Sequence, residues 1–140
     1  GLDRAFLAHL CNAYSEELAP TAEGGEEVRT VLRLHPTLAP VTAAILPLVR
    51  KDGMPEYAER LFQDLRTDFQ LVTDDKDSIG RRYRRQDARG TPFCITIDTE
   101  TLSDDSVTLR DRDTMAQERL PVAALRDRLR AKTDLRQVLG

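Results

Sequence analysis

Residues 41–53 read VTAAILPLVRKDG, and this stretch decides the fold. Its apolar run, Val41–Val49, is short and contains β-branched residues, which is typical of a strand that is buried on both faces. The residues Lys51-Asp52-Gly53 supply a turn, and Pro55 suits the first turn of a helix that the apolar spacing predicts over residues 55–69. A buried strand that leads directly into a helix indicates an α/β domain.

The residues after position 70 continue this alternation of strands and helices. The predicted elements are a strand at 71–73, a helix at 79–89 that is capped by Ser78 and ended by Gly90, strands at 91–98, 106–110 and 116–120, and a helix at 121–130. This order predicts an α/β fold with a five-stranded mixed sheet flanked by three helices. Right-handed crossovers place the second and third strands on either side of the first.

The first forty residues show a different pattern. Apolar residues recur at three- and four-residue spacing over residues 2–14, which predicts an amphipathic helix that ends before Pro20. The stretch APTAEGGEE at residues 19–27 has the composition of a linker, and the alternation at residues 29–34 predicts a short extended segment. The opening GLDR has neither an initiator methionine nor a signal-peptide pattern, so we expect a piece of a larger protein.

Composition excludes several classes of protein. With 140 residues, of which 40% are hydrophobic and 32% are charged, the chain has the size and make-up of about one globular domain. Its longest apolar run is interrupted by Thr42 and Pro47, so we expect no transmembrane helix and no membrane partner. The two cysteines, Cys11 and Cys94, are too few for a disulfide framework or a zinc site, and we expect a reducing cytoplasm.

Sequence motifs give little support to a catalytic site. The chain contains no Walker loop, no Gly-x-Gly-x-x-Gly and no His/Cys cluster with metal-ligand spacing. His9 and His35 are distant in sequence from any candidate nucleophile, and Cys94 is most simply a small buried apolar residue. The aspartate pairs at 74–75 and 104–105 are adjacent residues, so we interpret them as solvated loop residues rather than as acid/base pairs.

Positive charge is concentrated in one segment. The net charge of the chain is −3, yet residues 76–90, KDSIGRRYRRQDARG, carry six basic and two acidic side chains. Arginines paired with neighbouring acids on a solvated helix face are one interpretation. An anion-binding patch is the interpretation that we favour, because the rest of the chain is acidic. The arginines concerned are Arg81, Arg82, Arg84, Arg85 and Arg89.

A second charged motif, RDRD at residues 110–113, follows the fourth strand. Alternation along a strand places Arg110 and Arg112 on one face and the two aspartates on the other. The motif is either a set of surface ion pairs or an arginine fork for recognition. In a sheet of this kind the ligand site lies beyond the carboxyl ends of the parallel strands, which here means residues 74–80 and 98–101.

Four motifs together resemble a known family. They are LHPTLAP at residues 34–40, ILPLVRKDG at 45–53, SIGRRYRRQDARGTPFCITID at 78–98 and VTLRDRDTMAQERLPV at 107–122. In this order and at these separations they resemble the C-terminal anticodon-binding domain of the glycyl-tRNA synthetases, which are class IIa aminoacyl-tRNA synthetases. In addition, GLDR at residues 1–4 is similar to the end of motif 3 in the catalytic domain of that family.

The resemblance implies three parts of the chain: residues 1–18 as the C-terminal helix of the catalytic domain, 19–40 as a linker and connecting strand, and 41–140 as the anticodon-binding domain. It implies that the parent enzyme is an ATP-dependent glycine–tRNA ligase, which uses ATP and Mg, works in the cytoplasm and forms a homodimer through its catalytic domain. The partner would be the tRNA for glycine. We expect the 140-residue chain alone to be inactive and to bind neither cofactor.

The resemblance also implies which residues contact the ligands. In class IIa enzymes the anticodon bases meet the start of the arginine-rich helix, the end of the third strand and the fourth strand. A glycine anticodon presents cytosines, whose N4 amino group needs an acceptor and whose N3 and O2 atoms need donors. The expected anticodon-binding residues are Arg81, Arg84, Asp98, Thr99, Glu100, Arg110 and Arg112. Of these, Arg81 and Arg112 would donate hydrogen bonds to the cytosine, and Asp98 or Glu100 would accept one from its amino group. Arg82 and Arg85 would contact phosphates, and Arg4 would hold the ATP γ-phosphate.

One position departs from the family pattern. Family members commonly have an aromatic residue after the aspartate that ends the third strand, whereas this chain has Thr99. Stacking of a base on an aromatic ring is worth about 1 to 3 kcal/mol. We therefore expect this domain to lose that energy or to replace the ring with an arginine plane.

Two alternative functions compete with tRNA recognition. The first is a non-catalytic protein- or DNA-binding module derived from this fold, as in a polymerase accessory subunit, but such a module has no reason to keep Arg4. The second is a small-molecule enzyme that uses the crevice at the strand ends. That alternative lacks a set of catalytic residues.

Overall fold

The structure is a computed structural model, and it describes residues 12–21 and 23–134 together with Arg4. The chain forms a two-stranded hairpin followed by an α/β domain. In chain order the elements are β1 (Tyr14–Pro20), β2 (Glu26–Leu32), β3 (Ala43–Pro47), α1 (Met54–Leu65), β4 (Leu71–Thr73), α2 (Ile79–Arg89), β5 (Phe93–Ile97), α3 (Thr99–Asp104), β6 (Ser106–Asp111), β7 (Gln117–Pro121) and α4 (Val122–Lys132).

The α/β domain is built on a five-stranded mixed sheet in the order β4-β3-β5-β6-β7. Strand β3 lies between β4 and β5 and runs parallel to both, whereas β6 and β7 are antiparallel to their neighbours. The predicted sheet, including the position of the second and third strands on either side of the first, is therefore confirmed.

Helices cover both faces of the central strands, which explains why β3 and β5 are buried along their whole length. On one face α1 and α4 enclose the larger core. On the other face Ile79 and Tyr83 of α2 pack against Ala44, Leu46 and Cys94. Within the described ranges no helix combines the length and the apolar character that crossing a membrane requires.

Helix α2 begins and ends where its local signals predict. The side chain of Ser78 accepts a hydrogen bond from the backbone N–H of Arg81 at 3.3 Å, and the left-handed Gly90 (φ +85°) ends the helix. A Cβ atom on Gly90 would lie 2.9 Å from Cδ1 of Leu34, so this position also needs glycine for space. The segment that follows β2 can therefore pack closely on the end of α2.

The N-terminal part differs from its prediction. Residues 14–18 were expected to end a helix, but they belong to β1, which pairs antiparallel with β2 from Tyr14 opposite Leu32 to Pro20 opposite Glu26. Tyr14 and Leu18 are four residues apart, and that spacing fits a strand face as well as a helix face. Pairing with β2 decides between the two. Residues 1–3 and 5–11, where most of the predicted helix falls, lie outside the described residues.

A short helix, α3, was not predicted. Asp98 caps it by accepting a hydrogen bond from the backbone N–H of Thr101 at 3.1 Å, and the backbone N–H of Asp98 in turn donates to Oγ1 of Thr101 at 3.1 Å. The signal was present in the sequence as Asp-x-x-Thr, but six residues without an apolar run do not stand out as a helix. The α/β domain thus has four helices rather than three.

Candidate nucleic-acid interface

The carboxyl ends of β3, β4 and β5 meet at one edge of the sheet, which we call the carboxyl edge (residues 48–52, 74–80 and 98–100). Arg82 holds this edge together. Its guanidinium donates hydrogen bonds to the carbonyl oxygens of Pro47 at 2.6 Å and Leu48 at 3.0 Å, and to that of Asp74 at 3.1 Å. Because Arg82 is only 2% exposed, it positions the loops and does not fit the predicted phosphate contact.

Arg119 joins two of the predicted recognition residues. It lies on β7 opposite Thr108 of β6, and its guanidinium donates to both carboxylate oxygens of Asp98 at 2.8 and 2.9 Å. Its Nε atom lies 3.1 Å from the carboxylate of Glu100 and donates to Oγ of Ser106 at 2.8 Å. Sequence reasoning missed Arg119, although the antiparallel pairing predicted for the last two strands brings it next to Thr108 on one face of the sheet.

The Asp98 carboxylate is held in its ionised form. The hydrogen bond from Arg119, opposed by partial burial and helped by the backbone N–H of Thr101, lowers the pKa of Asp98 to about 2. The pair therefore presents acceptor oxygens and guanidinium donors side by side at an accessible place. Such a combination can match a base edge that itself offers both a donor and acceptors.

The sheet face next to this pair is polar and only partly covered. Helix α2 covers β3 and β5, where the Tyr83 hydroxyl hydrogen-bonds to Oγ1 of Thr96 at 2.8 Å. Farther along the same face, Ser106 and Thr108 are half-buried and Arg119 is exposed. The face therefore gives a ligand access to hydroxyl and guanidinium groups of β6 and β7.

Several basic side chains of the carboxyl edge are exposed. Within the described part of the chain Arg81, Lys51 and Lys76 have no side-chain hydrogen bond or ion pair, whereas Arg50 donates to the carbonyl of Asp75 at 2.8 Å. Arg81 stands in the first turn of α2, as predicted. Arg81, Lys51 and Lys76 are therefore available to an anionic ligand without the loss of an existing ion pair.

Two other arginines of α2 already have carboxylate partners. Arg84 donates to Glu27 at 2.9 Å and to the carbonyl of Pro20 at 3.3 Å, so it ties α2 to the hairpin. Arg85 is paired with Asp74 and with Asp77. For these two residues the structure matches the alternative of arginines paired with neighbouring acids, and an RNA contact by either one would have to displace a carboxylate.

The RDRD arginines lie in the interior. Arg110 donates to the two oxygens of Asp87 at 2.8 and 3.1 Å, and Arg112 donates to the carbonyls of Gly90 at 2.9 Å and Leu34 at 2.6 Å. Both side chains reach toward α2, so the prediction that they share a face is correct. However, Arg110 is 2% and Arg112 is 1% exposed, which does not fit the predicted contact with an anticodon base.

The cover over these arginines comes from the hairpin. Arg29 of β2, itself fully buried, donates to Asp87 at 3.3 Å and to the carbonyl of Arg112 at 2.6 Å. We call Arg29, Asp87, Arg110 and Arg112 the buried arginine cluster. Its remaining positive charge is balanced by two carboxylates beside it: Glu17 lies 3.0 Å from Nε of Arg29, and Asp113 lies 2.9 Å from Nε of Arg112. The members of the cluster stabilise the contact between the hairpin, α2 and β6.

The remaining predicted site residues are accessible. Thr99 and Glu100 are exposed at the start of α3, beside the Asp98–Arg119 pair. Arg4 lies in a helical conformation and is exposed, and its contact with ATP stays a prediction. Cys94 is buried, and burial raises the pKa of its thiol to about 12, which fits a packing role.

A surface groove of about 550 Å³ adjoins the carboxyl edge between α1 and α2. Its walls include Pro55 and Ala58 on one side and Lys76, Arg85 and Arg89 on the other. Among the described residues no cluster of His, Cys, Asp and Glu could hold a metal ion. The groove carries charges of both signs, because Glu59, Asp74 and Asp75 also line it.

Comparison with known proteins gives this arrangement its family. Residues 42–132, which span β3 to α4, match the family model described as the anticodon binding domain. The chain belongs to the anticodon-binding domain family. The domain is also similar to a solved structure, the RNA-binding domain of threonyl-tRNA synthetase from Cryptosporidium parvum Iowa II, with a TM-score of 0.60 and 26% identity over 66% of this chain and 24% of that one.

Curated relatives of this anticodon-binding domain carry a common name. The chain is 49% identical over 137 residues to the glycine–tRNA ligase of Rhodopirellula baltica, covering 95% of this chain and 26% of that protein. It is 55% identical over 120 residues to the glycine–tRNA ligase of Nocardia farcinica, covering 86% of this chain and 26% of that protein. The chain thus spans about a quarter of the length of the curated relatives it matches.

Proposed function

We propose that this chain recognises the anticodon of the glycine tRNA as the C-terminal part of a glycine–tRNA ligase. The observation that carries the proposal is its identity of about half with relatives of that name over most of this chain. The parent protein would attach glycine to tRNA with ATP and Mg, as a cytoplasmic homodimer. The anticodon-binding domain itself takes no part in the ATP chemistry, and nothing in the described residues favours a protein- or DNA-binding module instead.

The chemistry of the anticodon fits the groups of the carboxyl edge. Glycine codons begin with two guanines, so the anticodon presents two cytosines. Each cytosine offers an N4 amino group and the acceptors N3 and O2 on its Watson–Crick edge. Asp98 or Glu100 accepts from N4, and Arg81 and Arg119 donate to N3 and O2. Arg119 thereby takes the donor role that the sequence had suggested for the buried Arg112.

The phosphates are bound by basic side chains that are not paired with a carboxylate. Lys51 and Lys76 border the carboxyl edge, and Arg89 lines the adjoining groove. A backbone that crosses this surface brings its bases toward the polar face of β6 and β7. Binding through these contacts releases counterions, so it becomes weaker at higher salt. Because every tRNA has the same phosphates, these contacts do not distinguish one tRNA from another.

The test compares Arg119 with a matched arginine on the opposite face of the sheet. Arg126 of α4 is likewise partly exposed and paired with aspartates, Asp64 at 3.3 Å and Asp68. In the full-length protein, Arg119→Gln should cost about 1 to 3 kcal/mol in kcat/KM for glycylation of the glycine tRNA. Arg119→Gln should also reduce the preference for the glycine tRNA over a tRNA with one anticodon cytosine replaced. Arg126→Gln should change neither kcat/KM nor this preference.

Two results would contradict the proposal at different levels. If the unaltered full-length protein does not attach glycine to its tRNA, the assignment to a glycine–tRNA ligase is wrong. If the unaltered protein attaches glycine normally but Arg119→Gln lowers the rate of glycylation equally for both tRNAs, Arg119 does not read a base.

A further inference from the structure

The β1–β2 hairpin presents an apolar face to solvent. Tyr14, Leu18 and Val28 are 56%, 64% and 65% exposed, the largest exposures of any large apolar side chains in the described part of the chain. Leu18 lies directly opposite Val28, and Tyr14 lies opposite Leu32, so these residues share one side of the ribbon. On this face the pair Glu16 and Thr30 lies between the two apolar pairs. A group of neighbouring exposed apolar residues marks an interaction site more often than isolated exposed residues do.

The other side of the hairpin is fixed to the anticodon-binding domain. Ala19, Arg29 and Val31 are buried there, and the charges of Arg29 and Glu27 are paired with Asp87 and Arg84 of α2. The ribbon therefore cannot turn over to bury Tyr14, Leu18 and Val28 against its own domain. Their exposure is a consequence of a register that the buried side holds in place.

The hairpin is not part of the unit that the anticodon-binding domain family shares. The family match begins at residue 42, whereas the match to the Rhodopirellula baltica ligase covers 95% of this chain and so includes the hairpin. A two-stranded ribbon has little stability of its own and needs packing on its faces. The hairpin thus goes with the ligase rather than with the domain alone, and one of its faces has no partner among the residues that the structure describes.

We propose that this apolar face docks on the portion of the parent ligase that lies outside this chain. The inference rests on the proposed function, because the ligase relatives are about four times as long as this chain and so supply that portion. The face also carries acidic groups: Glu16 between the two apolar pairs and Glu26 at the end of the ribbon are exposed on the same side. The surface that receives it therefore combines apolar and basic groups.

Docking there would orient the carboxyl edge relative to the rest of the ligase. The hairpin is joined to α2 through Arg29 and Asp87, and Asp87 is joined to β6 through Arg110. These elements carry Arg81 and Thr108 at or beside the carboxyl edge. A surface that holds the hairpin thus holds the anticodon-reading groups in one orientation.

Photo-crosslinking identifies the occupant directly. Val28 is replaced by p-benzoylphenylalanine in the full-length protein, and the crosslinked peptides are identified by mass spectrometry. We expect crosslinks to residues of the parent that lie outside this 140-residue chain. Crosslinks to the same 140-residue segment of a second copy, crosslinks to tRNA, or no crosslink would each overturn the proposal. The same replacement at Leu102, an exposed residue of α3, is the control and should not give those crosslinks.

A charge on the face provides the functional test. In the full-length protein, Leu18→Glu should lower kcat/KM for glycylation about tenfold, while glycine-dependent ATP–pyrophosphate exchange stays unchanged. The matched control is Thr67→Glu, an exposed loop position after α1. Normal glycylation by Leu18→Glu would overturn the docking proposal. Glycylation by the unaltered protein tests the proposed function separately, so the two failures are distinguishable.

Discussion

Asp87 and Asp98 both pair with arginines, but Asp87 is buried whereas Asp98 lies at an accessible place. Asp87 is fully buried in α2 and accepts from Arg29 and Arg110. Asp98 lies at the carboxyl edge and accepts from Arg119, which water can reach. In the interior, neither partner can leave without an unpaired buried charge, whereas at the surface the pair contributes only about 0 to 1 kcal/mol.

The difference separates stability from recognition. A pair that costs much to break holds the hairpin, α2 and β6 together, and the buried arginine cluster does this. A pair that costs little to break can exchange its partner for a nucleotide, and this is the role that we propose for the Asp98–Arg119 pair. Similar side chains therefore have different roles because of what covers them.

The largest expected effect is on the buried side of this comparison. Asp87→Ala leaves Arg110 buried without its carboxylate and leaves Arg29 with Glu17 only, which should lower the free energy of unfolding by about 3 to 5 kcal/mol. Urea unfolding followed by circular dichroism measures it. The control is Asp127→Ala, an exposed aspartate of α4, for which we expect a change below about 0.5 kcal/mol. A similar small change for Asp87→Ala would show that the buried arginine cluster does not hold the hairpin.

Arg112 tests whether burial excludes recognition. Arg112→Gln cannot keep both hydrogen bonds to the carbonyls of Gly90 and Leu34, and it should lower the free energy of unfolding by about 2 to 3 kcal/mol. In the full-length protein its preference for the cytosine-containing anticodon should be unchanged. If instead stability is normal and the preference is lost, Arg112 reads a base and the comparison between the two regions fails.

The smallest effect is the pH dependence that Asp98 contributes. Its pKa of about 2 in the folded chain lies below the ordinary value near 4, so its stabilising effect is fully present above pH 4 and is lost as the pH falls toward 2. The loss should be at most about 2 kcal/mol, because Arg119 is partly exposed. Urea midpoints at pH 5 and pH 2.5 should differ less in Asp98→Asn than in the unaltered chain; equal differences would mean that this pair is not formed in solution.

Much of the α/β domain could be predicted because its signals are local. Ser78 and Gly90 fix the ends of α2 through hydrogen bonds and a left-handed conformation within a few residues. The apolar runs of β3 and β5 record burial on both faces. The sequence also predicts a ligand site at the carboxyl edge, because parallel strands place their ends together, and this stays a prediction. In contrast, the strand β1 could not be distinguished from a helix by spacing alone.

The sequence of this chain determined which segments form the sheet, and that arginines and carboxylates occur together near the carboxyl ends of its parallel strands. Only the tertiary structure decided which arginines are accessible. Arg110 and Arg112 share a strand face as expected, but the hairpin and α2 cover that face, whereas Arg119 lies beside Asp98 through the pairing of β6 with β7. Burial and cross-strand contact depend on residues far apart in the chain, and the local patterns of a sequence do not contain that information.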